Sequence, residues 1–230
     1  KWNFLKHLQV IVFRQITTKS EYGSLTMLSL KHAGCKHIPR EFQNRKILTT
    51  IRNPYDWYVS QYEFGWWKNR SLLKYFKEVP NFESDYPKFP KLNFAEFIRL
   101  TDQAFDVHFE CPKEIWSEFG WRTRSFVDYY FKNPSEAFPK MLDENYAASK
   151  NSESDLYSQL HFINTKNLNQ NLYDFLLEND YKKGDIEFIL EMKKVLPLGK
   201  GRTNEQKWEK YFTPELKAQI RQKDRILFEM

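Results

Sequence analysis

Arg52 and Ser60 stand eight residues apart within KILTTIRNPYDWYVSQYEF, residues 46–64. A guanidinium presents a planar fork of N–H donors that matches phosphate. A hydroxyl two helical turns further on adds a donor if the chain folds back beside it. Between them, Asn53 and Pro54 are residue types that cap and open a helix. The chemistry this spacing supports is anion binding, with phosphate as the anion. A second stretch, ITTKSEYGSLT (residues 16–26), offers Lys19, Ser20, Gly23 and Ser24. Placed between a strand and a helix, its backbone N–H groups and lysine would cradle phosphate. It lacks GxxxxGK[ST], so a Walker-type loop is disfavoured. A third stretch, LPLGKGRTN (residues 196–204), has two glycines that let backbone approach a ligand, and Arg202 to pair with phosphate. Lys200, Gly201 and Asn204 are its other candidates.

Proton transfer needs a base. His7, His32, His37, His108 and His161 are the histidines, and KHAGCKHIP (residues 31–39) holds two of them. His32 falls near a helix end, where a role at the dipole is the plain alternative. No CxxC and no His/Cys cluster at zinc-ligand spacing occurs, so no metal ligand is assigned.

These residues need elements to hold them. Gln9–Gln15 is β-branched and apolar, a buried first strand. A loop follows, then a short helix over Ser24–Lys31. Cys35–Ile38 reads as a short second strand and Lys46–Ile51 as a third. Pro54–Lys68 is an amphipathic helix with Tyr55, Val59, Tyr62 and Trp66 on its core face. Residues 79–92 carry three prolines and read as a loop. Helices follow over Asn93–Gln103, Pro112–Phe131 and Ser135–Tyr146, with a polar connector at Ala147–Asp155. Leu160–Asn164 is a strand. Leu168–Glu178, with Leu168, Leu172, Phe175 and Leu176 inward, is a helix, as are Asp185–Val195 and Pro214–Phe228. The order predicts an α/β fold, a P-loop-like parallel sheet flanked by helices with a large helical insertion, in one domain over residues 1–230.

The Arg52–Ser60 stretch resembles the 3′-phosphate motif of the PAPS-dependent sulfotransferases, where Arg-Asn-Pro precedes an aromatic helix carrying Ser. The run Asp56-Trp57-Tyr58-Val59-Ser60 is similar to the bacterial branch. Lys19-Ser20-Glu21-Tyr22-Gly23-Ser24-Leu25 resembles that branch's 5′-phosphosulfate loop, Lys-Thr-Gly-Gly-Thr-Ser-Leu, and has its length. It departs where Glu21 and Tyr22 replace two glycines. Gly120-Trp121-Arg122 resembles a segment of the family's substrate-side helices, and residues 196–224 resemble its closing loop and last helix. The resemblance implies that Lys19, Ser20, Gly23, Ser24 and Leu25 hold the 5′ end of PAPS, and that Arg52, Ser60 and Arg202 hold the 3′-phosphate. It implies His37, before Ile-Pro, as the base, then His32, with Glu21 next. The reaction would be sulfuryl transfer from PAPS to a hydroxyl or amine of a small-molecule or glycan acceptor, with no metal. Two other classes fit the residues: a nucleotide phosphotransferase with an altered loop, and a non-catalytic nucleotide- or glycan-binding protein.

Composition is consistent with this. The 230 residues are 41% hydrophobic and 17% aromatic, with seven glycines, which supports a real core and excludes repeat and low-complexity chains. The net charge of +6 suits anionic ligands. The basic residues are interspersed, so no nucleic-acid arm is expected. No apolar run is long enough to span a bilayer and no cleavable leader is visible, which makes the cytoplasm the expected location. The two cysteines, Cys35 and Cys111, allow one disulfide that the core does not need.

Overall fold

The computed structural model describes residues 16–20, 23–27, 34–38, 40–42, 44–69, 73–104, 111–143, 145–146, 151–193 and 202–229. It is an α/β structure, mostly helical. Among the described residues there are two small sheets. Strands β1 (Ile16–Ser20) and β2 (Gly23–Met27) form an antiparallel hairpin, with Lys19 opposite Ser24 and Ser20 opposite Gly23. Strands β3 (Ile47–Ile51) and β4 (Leu160–Asn164) pair in parallel, Ile47 with Leu160 through Ile51 with Asn164. A parallel pair requires a crossover, and here helices make it.

The principal helices are α1 (Pro54–Phe64), α2 (Phe94–Ala104), α3 (Trp121–Tyr130), α4 (Pro134–Lys140), α5 (Leu168–Leu177) and α6 (Pro214–Lys223). Helix α1 stops earlier than its apolar pattern because Gly65 adopts φ 67°, a left-handed cap. A 3-10 turn, Trp66–Lys68, continues from it. Of the expected core face of α1, Tyr55 and Val59 are buried and Tyr62 and Trp66 are half-buried against the same cluster; Tyr58, not expected on that face, is also buried, with Trp67, Phe76, Phe97 and Leu100. A second cluster joins Trp116, Phe119, Phe126, Phe138 and Ile226.

Several expectations are corrected. Ser24–Lys31 is not a helix from its start: Gly23–Met27 is a strand. Thr17, Thr18 and Thr26 are β-branched and favour a pleated ladder over a helical turn. The P-loop-like order of strand, loop and helix is therefore not the arrangement at residues 16–27. The Gln9–Gln15 strand lies outside the described residues. Cys35–His37 is a 3-10 turn, not a strand. The Pro112–Phe131 helix is two, Lys113–Trp116 and α3, broken at Gly120. The Pro214–Phe228 helix is likewise broken at Asp224 into α6 and Ile226–Glu229. The polar connector contains a short helix, Asn151–Asp155. In α5 the buried residue is Tyr173, while Leu168 is 36% exposed. Among the described residues no helix is long and apolar enough to cross a membrane. Both cysteines are free thiols.

The two helix breaks meet. Asp224 is fully buried and accepts hydrogen bonds from Tyr58 OH at 2.9 Å, Thr123 N–H at 2.9 Å and Thr123 Oγ1 at 2.7 Å. A Cβ on Gly120 would stand 2.9 Å from Asp224 Oδ1, so only glycine lets α3 begin there. Burial pushes the Asp224 carboxyl above its ordinary value, against the pull of those three bonds, and the nearby Asp102 charge adds to the rise. Asp102 in turn pairs with Lys223 at 2.7 Å and with the buried Arg124 at 3.2 Å, and accepts from Trp121 N–H at 3.0 Å. This polar centre ties α1, α2, α3 and the C-terminal helices together.

Candidate functional site

The site grows out of the end of β3. Ile51 completes the ladder with Asn164, and Arg52 and Asn53 turn the chain into α1. Asn53 Oδ1 accepts from Tyr55 N–H at 2.9 Å and from Asp56 N–H at 3.4 Å, and Pro54 occupies the first turn. This is the cap that the residue types predicted. Asp56 in the first turn sits at the positive end of the helix dipole. Arg52 Nε reaches Asp56 Oδ2 at 3.1 Å.

The partner from the far end of the sequence is Arg202. Its Nη2 pairs with the other carboxylate oxygen, Asp56 Oδ1. The segment that carries it lies along α1 and is fixed at several points. Gln206 donates to Glu63, Tyr211 OH donates to Glu63 Oε1 at 2.6 Å, and Trp208 stacks on Tyr55 with ring centroids 5.0 Å apart. Thr203 N–H is capped by Gln206 Oε1 at 2.9 Å. Asp56, Ser60 and Glu63 fall on one face of α1 at helical spacing, and that is the face the segment covers.

Two guanidiniums thus share one carboxylate, leaving one positive charge over. Side-chain exposures are 26% for Arg52, 24% for Asp56 and 29% for Arg202, so the group is partly screened from water yet open to it. Burial pushes the Arg52 guanidinium below its ordinary value, Asp56 opposes the shift, and the Arg202 charge adds to it. Such a cluster is suited to an oxyanion that takes over the guanidinium edges from Asp56.

Of the residues singled out from sequence, the structure brings together Arg52 and Arg202, with half-buried Ser60 one turn beyond their shared carboxylate. The others it places apart or only in part. Lys19, Ser20, Gly23, Ser24 and Leu25 lie on the β1–β2 hairpin, where Lys19 is paired with Ser24 and Thr18 with Leu25 across the ladder. Ser24 and Leu25 thus stand within a strand, where the expected loop would open a helix. His37 is exposed, in the 3-10 turn beside α3, and forms no hydrogen bond or ion pair with Arg52, Asp56 or Arg202. That turn is anchored by its neighbour Lys36, which pairs with Asp128 at 2.7 Å. His32, Glu21, Lys200 and Gly201 lie outside the described residues. Sequence reasoning gave no role to Asp56 as the bridge, because its two partners meet only when residues 52 and 202 are folded together. Among the described residues no group of three or more His, Cys, Asp or Glu could hold a metal.

Comparison with known proteins finds no match: no family model, no curated protein and no solved structure matches the chain.

Proposed function

We propose that the protein is a sulfotransferase that moves a sulfuryl group from PAPS to a hydroxyl or amine of its acceptor. The observation that carries this reading is the meeting of Arg52 and Arg202 on Asp56, at the capped start of α1 and on the face that carries Ser60. Arg52, Ser60 and Arg202 are the residues the family resemblance assigns to the 3′-phosphate of PAPS. The 3′ end of the nucleotide fits this group. A phosphate dianion would be met by two guanidinium forks, with Ser60 one turn further along the helix. At the reacting end, the acceptor oxygen forms a bond to sulfur while the bond from sulfur to the bridging phosphate oxygen breaks. 3′,5′-ADP departs, and the acceptor's proton passes to His37 or, failing it, His32. Lys19 would neutralise the charge growing on the bridging oxygen, with Ser20, Gly23, Ser24 and Leu25 around the 5′ phosphosulfate.

A second reading, binding of a nucleotide or glycan without transfer, is favoured by one observation: residues 16–20 and 23–27 pair as antiparallel strands, where the phosphosulfate loop of the resemblance would lead into a helix. Calorimetry and a transfer assay separate the two. On the first reading the protein binds 3′,5′-ADP at least ~10-fold more tightly than 5′-AMP, and Arg52→Ala removes most of that preference, a charge-assisted contact being worth ~1.5–3 kcal/mol. Label then passes from radiolabelled PAPS to an acceptor, with or without EDTA. Equal affinity for the two nucleotides sinks the 3′-phosphate assignment. Tight 3′,5′-ADP binding with no transfer across an acceptor panel selects the second reading.

A further inference from the structure

Helix α3 carries two arginines near its start, and they are in opposite situations. Arg124 is buried and donates through Nη2 to the backbone carbonyl and the carboxylate of Asp102. Arg122 is half-buried, and no carboxylate of the described residues lies within ion-pair distance of its guanidinium. The buried acid whose charge reaches it, Asp224, is already committed to Tyr58 and Thr123. In place of an acid, Arg122 has aromatic neighbours. Its guanidinium carbon lies 5.1 Å from the centre of the Trp57 ring. Trp57 is itself braced by Trp121, ring centroids 4.7 Å apart and planes at 64°. The phenols of Tyr129, Tyr130 and Tyr58 are near enough to act on its charge, and Tyr130 OH is held by Thr49 Oγ1 of β3 at 2.8 Å.

A cation that has lost part of its hydration and has gained no ion-pair partner, only the field of an acid bonded elsewhere, is a cost the fold carries unless something offsets it. Desolvation accordingly pushes the Arg122 guanidinium below its ordinary value. Stacking on an indole offsets part of this through the ring's negative face. It also leaves the in-plane N–H edge unused, which is the edge that binds oxyanions in a bidentate way. The position matters as well. Trp57 follows Asp56 directly, so it projects about 100° around α1 from the carboxylate that joins Arg52 and Arg202. The two arginine sites therefore lie on adjacent faces of the same first turns of one helix.

We propose that Arg122, stacked on Trp57 beside Tyr129 and Tyr130, binds an oxyanion carried by the acceptor, so that the acceptor is an acidic hydroxyl compound. The word acceptor rests on the sulfuryl-transfer reading; the anion site itself does not. Binding of p-nitrophenyl β-D-glucuronide and its neutral twin, p-nitrophenyl β-D-glucoside, isolates the carboxylate. Calorimetry is expected to show the glucuronide bound about 10- to 100-fold more tightly. Arg122→Gln and Arg122→Met remove the preference, and Arg122→Lys restores only part of it, since an ammonium lacks the fork. The Kd for 3′,5′-ADP stays unchanged in all three, and unchanged melting temperatures show that they fold. Equal binding of the two glycosides by the natural protein overturns the proposal, as does a preference that survives Arg122→Gln or vanishes instead in Arg52→Gln. Inorganic sulfate binding at Arg122 as tightly as the glucuronide overturns the assignment to an acceptor. If the glucuronide preference depends on Arg122 while 3′,5′-ADP binds no better than 5′-AMP, the anion site stands and the nucleotide reading falls.

Discussion

Replacing Asp56 with Asn tests whether the arginine cluster is built for an outside anion. The shape is kept and one charge is removed. Arg52 Nε and Asp56 Oδ2 are 3.1 Å apart, and Arg202 grips the second oxygen. Unit charges at that separation attract by roughly 5 kcal/mol at an effective dielectric of about 20. Most of this is returned as desolvation and side-chain ordering: exposed pairs retain ~0.2–1 kcal/mol, and breaking buried ones costs ~3–5 kcal/mol. With all three side chains between 24% and 29% exposed, the pair of contacts falls between those limits. Removing the carboxylate also unmasks repulsion between Arg52 and Arg202. We expect Asp56→Asn to lose about 2 kcal/mol of unfolding free energy in anion-free buffer. The second half of the expectation has the opposite sign. An oxyanion no longer competes with an internal carboxylate, so the variant binds inorganic sulfate or 3′,5′-ADP about tenfold more tightly. The ligand then restores stability as RT ln(1 + [L]/Kd). Urea melts with and without sulfate measure both. A variant as stable as the natural protein, with the same response to sulfate, would refute the shared-carboxylate argument. A double-mutant cycle with Arg202→Gln should return a coupling of ~1–2 kcal/mol.

Gly120→Ala places a methyl 2.9 Å from Asp224 Oδ1 and is expected to lower stability by ~1–3 kcal/mol in chemical denaturation. A cost under a few tenths would show that the α3 start can shift. Asp224→Ala leaves Tyr58 OH and Thr123 without their acceptor and should cost ~3–5 kcal/mol or abolish folding. For pH, the Asp224 carboxyl is raised above its unfolded value, so the folded state holds that proton more tightly. Its contribution to stability is full below the ordinary aspartate range and is lost as pH rises through the raised value. Asp224→Asn should flatten that segment of the stability–pH curve, and an unchanged slope counts against it. His37→Ala is expected to lower sulfuryl transfer by roughly 10²–10⁴ while 3′,5′-ADP binding is kept; full activity moves the base to His32, and then to Glu21.

What could be read from the residues was local. The cap at Asn53, the strands at 47–51 and 160–164, and the inward face of Tyr55 and Val59 follow from spacing and side-chain type, and they stand in the structure. The misreadings share a cause. Pro112–Phe131 and Pro214–Phe228 each look like one helix because their apolar spacing carries on through the break. The breaks exist because Gly120 and Asp224 need each other across about a hundred residues of chain. Local pattern holds no trace of that demand. The hairpin at 16–27 is the converse case. Lys19, Ser20, Ser24 and Leu25 fit a phosphate-loop pattern, yet the β-branched threonines around them favour the paired strands. Arg52 and Arg202 were each legible as anion ligands. Their shared carboxylate was not, since it depends on how the 202–211 segment lies along α1.

That segment also has a temporal meaning. β3 waits for β4, more than a hundred residues later, before it has a neighbour. Tyr58 waits for Asp224, and the guanidinium of Arg52 waits for the stretch around Arg202 before the site is whole. Contacts of such long range make a folding nucleus slow to close. During synthesis the first half of the chain must remain without its partners until the second half has emerged. Anion affinity is then a late-arriving property of the growing polypeptide, and its onset marks the completion of the fold.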